Sequence, residues 1–397
     1  MFKLSLAVLS GIALFVGAVQ PAAAATKAFY VGTCKPGKAD FITIQEAVSG
    51  VPPGSTINVC PGVYSEQVTI TQPLTLQGVQ SGNNAQAIIT APAGGTLVET
   101  VPLAQPALAQ VVVQNSGGPV DISGLTVDGR VVTSSTMSVA GIVYNSSPGT
   151  INHVVVQNLQ PAGAPAQGIS IRDDFAVSPI VTVQNSSVGF SNSPNTAGIE
   201  ADTTIGGNGA GQSVASGGTI TLSVTNNYVS GAGRAIGLDF GVAATVTGNV
   251  ITGASVTSAQ GVSFAGTGIA TAFNTGPVKI SNNSIVNVSD GVLLRSQQST
   301  VSTTVSNNVV SSSDAGIALV DQSGTTTING NQLISPATSS ASAMLGINFD
   351  CIAPLPAVSG NMIVGALIGL ANVPTGASLQ TNAGTFINVP NIEQLCQ

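Results

Sequence analysis

The stretch Val224-Thr-Asn-Asn227-Tyr-Val229 is one copy of a phrase that recurs through the second half of the chain. The phrase consists of an aliphatic residue, two small or polar residues, an asparagine, a spacer and a second aliphatic residue. Further copies are Val246-Thr-Gly-Asn249-Val-Ile251, Ile280-Ser-Asn-Asn283-Ser-Ile285, Val305-Ser-Asn-Asn308-Val-Val310, Ile328-Asn-Gly-Asn331-Gln-Leu333 and Val358-Ser-Gly-Asn361-Met-Ile363. Their asparagines lie 22 to 34 residues apart. Such an array predicts a solenoid of stacked strands, because each copy needs a neighbour to bury its aliphatic side chains.

The repeated asparagine has two interpretations. In a stacked coil, an inward-facing asparagine can bond the backbone and the asparagine of the next coil, which satisfies buried polar groups. Sugar binding by the amides is the alternative. Because each asparagine lies between two aliphatic residues of the core, the phrase favours the structural role.

The amino terminus has the pattern of a secretory signal peptide over Met1–Ala25. Lys3 supplies a positive start, an apolar stretch follows, and three alanines precede the predicted cleavage site before Thr26. The apolar run from Met362 to Val373 contains two glycines and is too short to span a membrane. We therefore expect a secreted or periplasmic protein with no membrane span after removal of the signal.

The composition is unusually poor in charge. Charged residues make up 6% of the chain, tryptophan is absent, and the mean hydropathy is +0.42, which favours a β-rich solenoid over disorder. The net charge of -7 and a pI near 4.4 exclude nucleic acid and anionic membranes as natural partners, because both reward clusters of Lys and Arg.

Four cysteines in an exported chain indicate disulfides, with three pairings open. Pairing of Cys34 with Cys60 and of Cys351 with Cys396 would place one disulfide at each end of the solenoid and stabilise that end. A zinc site is the competing interpretation, but no cysteine pair has the close spacing that zinc prefers, and His153 is the only histidine.

The segment from Phe41 to Gly78 is the most specific part of the chain. Ile44, Ala47, Val48 and Val51 are spaced for a short amphipathic helix, which Pro52-Pro53-Gly54 ends. Short strands follow, with a turn at Pro61-Gly62 and an end at Gly78.

This order of helix, PPG turn, V-PG-Y-E-V strand pair and LTL-G strand resembles the amino-terminal cap of the pectin-lyase-like superfamily, and most closely that of pectin methylesterases. The resemblance implies an all-β chain, a right-handed parallel β-helix with a short capping helix. We expect a single domain over residues 26–397 with about ten to twelve coils, at roughly 25 residues each. Within it we expect a cap and first coil at 26–78, and an irregular coil or loop at 79–119 that contains a strand-like stretch from Gln110 to Gln114. Regular coils at 120–373 and a carboxy-terminal cap at 374–397, where Asn391 to Gln397 form a closing turn, complete the domain.

A second repeated motif occurs once in each coil, where we expect another strand. It is a small residue, usually glycine, followed by Ile or Val, and the Ile or Val positions are Ile142, Ile169, Ile199, Ile236, Val262, Val292, Ile317 and Ile347. Two residues further on the chain is mostly apolar, as in Phe264, and we expect these side chains to face inward. Three residues on, the outward column reads Asn145, Arg172, Asp202, Asp239, Ala265, Arg295, Val320 and Asp350. Because alternate residues of a strand face opposite sides, most of the scarce charge falls on one register.

The densest part of this column is the best candidate site in the sequence. Arg172, Asp202 and Asp239 are the catalytic candidates. Substrate contacts are expected from Arg172, Asp174, Glu200, Asp239 and Arg295. Paired carboxylates could act as acid and base on a glycosidic bond. Alternatively Asp173, Asp174, Glu200, Asp202 and Asp239 could supply oxygens to Ca²⁺, which resembles how pectate lyases of this superfamily work. The competing interpretation is a solvated face whose charges only keep the solenoid soluble.

The chain lacks any complete catalytic motif of the related enzymes. Tyr64 and Glu66 match the methylesterase cap, but the later methylesterase segments, the polygalacturonase Gly-His-Gly and the lyase Trp-Asp-His are not found. His153 lies in a stretch that alternates like a strand, which favours an exposed or structural histidine over a catalytic one. The favoured function is recognition of an acidic polysaccharide. Whether the protein also processes this polysaccharide, as a lyase or a hydrolase, is left open. The alternative is a non-catalytic structural or adhesive surface protein.

Overall fold

A computed structural model describes residues 27–80, 86–99, 107–130, 137–159, 165–207, 213–258, 261–296, 300–336, 344–351, 355–375 and 384–396. The predicted signal peptide, Met1–Ala25, lies outside these residues. No helix within the described ranges is long and apolar enough to cross a membrane.

The described residues form short strands and one short helix. The first elements are β1 (Ala28–Val31), α1 (Ile44–Gly50), β2 (Ser55–Val59), β3 (Gly62–Ser65), β4 (Val68–Ile70), β5 (Leu74–Gly78), β6 (Ala87–Thr90), β7 (Ala107–Gln114), β8 (Val120–Ser123), β9 (Leu125–Asp128), β10 (Ser138–Asn145), β11 (Gly149–Asn152) and β12 (Val155–Gln157). Next come β13 (Ala166–Arg172), β14 (Ile180–Gln184), β15 (Ser187–Asp202), β16 (Thr204–Gly207), β17 (Ser213–Ala215), β18 (Ile220–Thr225), β19 (Tyr228–Asp239), β20 (Val242–Thr247), β21 (Val250–Thr252), β22 (Ala254–Ser258), β23 (Gly261–Ala265) and β24 (Thr267–Ala272). The last are β25 (Val278–Ser281), β26 (Ser284–Arg295), β27 (Ser302–Ser306), β28 (Val309–Val320), β29 (Thr325–Asn329), β30 (Gln332–Ile334), β31 (Leu345–Asn348), β32 (Ala357–Ser359), β33 (Asn361–Val364), β34 (Ile368–Val373), β35 (Gly384–Ile387) and β36 (Asn391–Leu395).

Two long parallel sheets enclose the core. Sheet A has 12 strands in the order β1-β2-β5-β8-β11-β14-β18-β20-β25-β27-β29-β32, and sheet B has 20. A coil runs through a strand of sheet A, a turn, a first segment of sheet B, a bend and a second segment of sheet B. In β19, for example, residues 228–230 pair with β21, and residues 234–239 pair with β24. Crossovers between parallel strands are right-handed, and the predicted right-handed parallel β-helix is confirmed.

The core follows from the alternation along each strand. In the second segments of sheet B, the stacked residues of successive coils are Ile142, Ile169, Ile199, Ile236, Ile269, Val292, Ile317 and Ile347. All are fully buried, as are the residues two positions further on in each coil. The outward-facing residues between them are thereby fixed on one surface of the molecule.

One coil of this register differs from the prediction. Val262 and Phe264 do not start a coil, because their strand β23 pairs antiparallel with β22 in a hairpin. The stacking partner of Ile236 is instead Ile269. The hairpin carries its own Gly-Val pair, which imitates the start of a coil in the sequence.

Helix α1 lies in the segment where a short amphipathic helix was predicted, and it ends at Gly50, just before Pro52-Pro53-Gly54. Its N-cap is Thr43, whose hydroxyl oxygen accepts the backbone N–H of Glu46 at 3.1 Å. Ile44, Ala47 and Val48 are buried against the first coil. The helix therefore covers the end of the core.

Tyr64 and Glu66, the two residues that match the methylesterase cap, have structural contacts here. The Glu66 carboxylate accepts the backbone N–H groups of Ile44 and Gln45, both at 2.8 Å. These are donors that a helix start leaves without an internal partner. The Tyr64 hydroxyl donates to the Cys60 carbonyl oxygen at 2.8 Å.

Residues 79–119, expected as an irregular coil or loop, contain two strands that pair in register. Strand β6 pairs with β3 and β9, and β7 pairs with β4 and β10. Every residue of β7 is buried. The strand-like stretch from Gln110 to Gln114 lies within β7. A strand covered on both faces lacks the alternation that marks a strand in a sequence, which explains why the rest of β7 was not recognised.

The carboxy-terminal segment also differs from the prediction. The expected closing turn at Asn391 to Gln397 is largely a strand, because β36 pairs in parallel with β34. All five residues of β36 are exposed. The segment extends sheet B and does not cover its edge.

Both predicted disulfides are confirmed. Cys34 is bonded to Cys60, and Cys351 is bonded to Cys396, with sequence separations of 26 and 45 residues. The first joins the cap to β2, and the second ties the end of β36 to an earlier coil. All four cysteines are used, as an oxidising compartment would allow.

The six repeated asparagines form one continuous ladder inside the solenoid. From Asn227 to Asn361, each side-chain amide donates to the side-chain oxygen of the next asparagine at 2.9 to 3.0 Å. The same oxygens accept a backbone N–H from the preceding coil. All six side chains are buried. The structural role of the asparagines is therefore confirmed.

The residue before each ladder asparagine is Asn or Gly for a conformational reason. Asn226, Gly248, Asn282, Asn307, Gly330 and Gly360 all have positive φ, between 54° and 68°. Only Gly, and less readily Asn, takes this left-handed conformation without strain. His153 occupies the same turn at φ 52° and is exposed, just after β11 ends.

Candidate functional site

The predicted charged column lies in one paired register on the outside of sheet B. Successive partners are Asn145, Arg172, Asp202, Asp239, Ala272, Arg295 and Val320. Ala272 holds the place predicted for Ala265, which belongs to the hairpin. Neighbouring strands of a sheet are about 4.8 Å apart, so Arg172, Asp202 and Asp239 share one narrow strip.

The side chains of this strip are buried below the surface. Arg172 is only 7% exposed, and the side chains of Glu200 and Asp239 are 12% and 14% exposed. Withdrawing charges from water is costly unless they are paired. A face that only keeps the solenoid soluble would leave its charges exposed, and these three residues do not fit that interpretation.

Arg234 is the residue that the sequence interpretation missed. Its guanidinium forms ion pairs with both Glu200 and Asp239, and so bridges two neighbouring coils. It lies two residues before Ile236, outside the positions that simple alternation places on the outward face. The cluster thus contains two arginines, not one.

Gln167 connects Arg172 to the rest of the cluster. Its amide donates to Glu200 Oε2 at 2.7 Å, and its oxygen accepts from Arg172 Nη2 at 3.1 Å. Arg172 Nε also donates to Ser170 Oγ at 3.1 Å. A chain of contacts therefore runs from Arg172 through Gln167 and Glu200 to Arg234, and this holds both guanidinium groups in fixed orientations.

Asp173 and Asp174 follow Arg172 directly. Burial lowers the pKa of Arg172, and the charges of Asp174, Glu200 and Asp202 act against this shift. The Asp173 carboxylate is buried and accepts the backbone N–H groups of Val177 and Ser178, each at 2.9 Å. Asp174 accepts the Asn145 side-chain amide at 3.0 Å. Both carboxylates therefore contact the turn after β13 or the coil before it.

The predicted calcium site is not assembled by these residues. Each of the five proposed ligands already has partners in the protein. Asp173 accepts backbone N–H groups of the turn, Asp174 contacts Asn145, Asp202 accepts the Thr204 N–H, and Glu200 and Asp239 pair with Arg234. Among the described residues, no group of three or more His, Cys, Asp or Glu side chains could hold a metal ion. Arg234 supplies the positive charge that the sequence interpretation gave to calcium.

Burial shifts the protonation equilibria of Asp202 and Asp239. Burial raises the pKa of Asp239 to about 6, and the favourable charge of Arg234 only partly offsets it. Burial also raises the pKa of Asp202, against the hydrogen bonds from Thr204, whose backbone N–H lies 2.6 Å from Asp202 Oδ1. The site therefore contains a carboxyl group that is protonated at mildly acidic pH.

Arg295 lies apart from the cluster. It is exposed and is separated from Asp239 by the coil of Ala272. Asp290, on the same strand as Arg295, is a second titratable residue that the sequence interpretation missed. Burial raises its pKa to about 6, and the charge of Asp314 adds to the shift.

An open groove lies directly against the cluster. Its volume is about 400 Å³, and its lining includes Gln167, Pro194, Asn195, Thr196, Glu200 and Arg234. A small polar cavity beside it reaches Arg172 and Asp202. The groove gives an extended ligand access to Glu200 and Arg234, and Glu200 also lines the small cavity that reaches Asp202.

A second cavity, of about 420 Å³, lies on the first segments of sheet B near the amino terminus, between Val63, Ile88, Thr90 and Arg130. Its buried acid is Asp128, which accepts hydrogen bonds from Arg130, Gln157 and Asn158 at 2.8 to 3.2 Å. Burial opposes ionisation, but these hydrogen bonds prevail and lower the pKa of Asp128. The carboxylate is fully partnered, which is typical of a structural role.

No protein-family model and no curated protein matches the sequence. Among solved structures, the chain is similar to an alginate lyase from Paenibacillus sp. str. FPU-7, with 16% identity and a TM-score of 0.50 over 77% of this chain and 96% of that chain. It is also similar to a GH136 lacto-N-biosidase from Eubacterium ramulus, with 11% identity and a TM-score of 0.54 over 92% of this chain and 68% of that chain. At these identities the likeness concerns the fold alone, and the chain has a right-handed parallel β-helix fold.

Proposed function

We propose that this exported protein, secreted or periplasmic, binds an acidic polysaccharide along the groove on sheet B and hydrolyses its glycosidic bonds at Asp202 and Asp239. The observation that carries the proposal is the burial of paired carboxylates and two arginines on the outward face of a sheet, beside an open groove. The fold alone does not require buried charge at these positions, since the equivalent residues of other coils include Ala272 and Val320.

The two aspartates suit acid and base roles. Asp239, with its pKa raised to about 6 by burial, holds a proton at mildly acidic pH and donates it to the leaving glycosidic oxygen. Asp202 is the partner carboxylate, which acts at the anomeric carbon or on the attacking water. They lie on adjacent coils, so the two groups flank one site.

The arginines favour an acidic glycan. Arg234 lines the groove and its side chain is 31% exposed, so that a sugar carboxylate can reach it. Protonation of Asp239 would free part of the guanidinium for this carboxylate, because a neutral carboxyl group competes less well for a cation. The charged column continues on both sides of Asp202 and Asp239, with Arg172 on one side and Arg295, beyond Ala272, on the other. Glu200 lies two residues before Asp202 on the same strand.

The test is a screen of the purified protein against polyuronates and neutral polysaccharides, with binding and new reducing ends measured together. Asp202→Asn and Asp239→Asn should each lower turnover by at least about a hundredfold, while a control on sheet A, Asp121→Asn, should leave it unchanged. Turnover should fall as the pH rises above about 6, where Asp239 loses its proton.

Two outcomes would contradict the proposal. An unsaturated product in place of a simple reducing end would identify elimination, and the hydrolytic roles of the aspartates would be wrong. Absence of both binding and turnover on every polymer would favour the structural or adhesive protein.

A further inference from the structure

Two phenylalanines lie at the edge of the charged strip. Phe240 directly follows Asp239, and Phe273 directly follows Ala272, the register partner of Asp239. Their rings stack with centroids 4.7 Å apart and an interplanar angle of 15°. Phe273 is 45% exposed. Neither ring is among the described side chains that form or pack against the main hydrophobic core, so the pair does not serve that core.

The backbone at both phenylalanines is unfavourable for a bulky side chain. Phe240 and Phe273 have φ of 47° and 53°, in the left-handed region. The same turn in other coils holds small or polar residues at similar φ, namely Asn115, Ser146, Ser296 and Asp321. The turns are equivalent, because Phe240, Ser146 and Ser296 each donate their backbone N–H at 2.8 Å to the last strand residue of the next coil.

The fold therefore does not require phenylalanine at these two positions. The chain has 11 phenylalanines and no tryptophan, yet two aromatic rings are placed in strained turns on adjacent coils. Strain of this kind in a folded protein is concentrated at sites that bind or react. The position of the pair next to Asp239 indicates which site it serves.

We propose that Phe240 and Phe273 form a stacking platform for one pyranose ring of the bound polysaccharide, in a subsite adjoining the bond cleaved at Asp202 and Asp239. This inference rests on the proposed function. The face of an aromatic ring is electron-rich, and the polarised C–H groups on one face of a pyranose pack against it. Phe240 supports the inner side of the pair, and the exposed ring of Phe273 is available to the sugar.

The test uses substitutions that the turn already accommodates. Phe273→Asn and Phe240→Ser introduce residue types found at the equivalent turns, so the backbone should be retained or relieved of strain. Tyr228→Ser is the matched control, since Tyr228 is 46% exposed on the same strand as Asp239 and pairs with Ser187. All three changes are made with Asp202→Asn as the common parent, so that oligosaccharides stay intact.

The probes are hexamers of galacturonate, mannuronate and guluronate, and the affinity is measured by calorimetry. Phe273→Asn should bind the preferred hexamer about tenfold more weakly, which is the loss expected for one aromatic stacking contact. Tyr228→Ser should bind it as the parent does. Tight binding by both phenylalanine variants would overturn the platform and leave the proposed function standing.

Two further results would also count against the platform. If the parent binds no hexamer, the proposed function fails, and the platform loses its ligand with it. If Phe273→Asn instead dissociates a dimer seen by analytical ultracentrifugation, the rings belong to an interface between copies of the chain.

Discussion

Replacing Asn308 by leucine should destabilise the solenoid from the middle of the asparagine ladder. The Asn308 oxygen accepts the backbone N–H of Asn283 at 3.0 Å and its side-chain amide at 2.9 Å. The Asn308 amide donates to the Ile280 carbonyl oxygen at 3.1 Å and to the Asn331 oxygen at 2.9 Å. Leucine makes none of these bonds and leaves a buried N–H without its partner.

A buried group left unpaired costs about 1 to 3 kcal/mol. The lost side-chain bonds add to this and the buried leucine methyl groups offset part of it. We therefore expect Asn308→Leu to lower the free energy of unfolding by about 3 kcal/mol, measured by urea titration with circular dichroism. The amide of Asn283 should also exchange its hydrogen faster.

Asn308→Ser is the matched control. Ser186 already occupies this position in an earlier coil, where its hydroxyl accepts the backbone N–H of Val154 at 3.1 Å. Serine should therefore keep the essential acceptor and cost about 1 kcal/mol. Equal stability of the leucine variant and the parent, with an unchanged exchange rate at Asn283, would refute the reasoning.

Three other predictions concern charge and the chain ends. Burial raises the pKa of Asp290 from 3.8 to about 6, so the folded state holds this proton more tightly than the unfolded state and stability falls as pH rises from about 4 to 6. Asp290→Asn should flatten that fall in thermal melts, and an unchanged slope would contradict the assignment. Arg234→Met should lower the free energy of unfolding by about 2 kcal/mol because Glu200 and Asp239 lose their shared cation, whereas an equally stable variant would mean that the ion pairs add nothing. Cys351→Ser opens a loop of 45 residues and should cost about 4 kcal/mol by loop-closure entropy; an unchanged urea midpoint would show that this end is held without its disulfide.

The repeat could be predicted from the sequence because each part of the phrase has its own physical cause. The aliphatic residues bury against the next coil, the asparagine bonds its neighbour, and the residue before it takes positive φ. The strand β7 gave only a partial signal, at Gln110 to Gln114. Its eight residues are buried on both faces, so burial and alternation no longer coincide, and a strand becomes indistinguishable from an apolar loop.

The candidate site was predicted only in part. The register of Arg172, Asp202 and Asp239 followed from counting along the strands, because the distance from the inward Ile to the charged residue is three positions in each of these coils. Their burial did not follow from it, since the exposure of these side chains depends on neighbouring side chains such as Gln167 and Arg234. The turn that removes Asp173 from the cluster depends on two backbone N–H groups, which carry no signal in the sequence.

The contribution of Arg234 depends on an irregularity at the start of each second segment. The residue before the inward isoleucine is usually glycine, and a Cβ added at Gly198 would lie 2.4 Å from the Ala235 carbonyl oxygen. This residue is passed over in the strand pairing, which goes from Ala197 with Arg234 to Ile199 with Ile236, so simple alternation fails there. The residue before it can then face the same side as the charged column, as the contacts of Gln167 and Arg234 with Glu200 demonstrate. The Gly-Ile motif therefore lies at this irregularity, and the position just before it belongs to the outward face, together with Asp290 two coils further on.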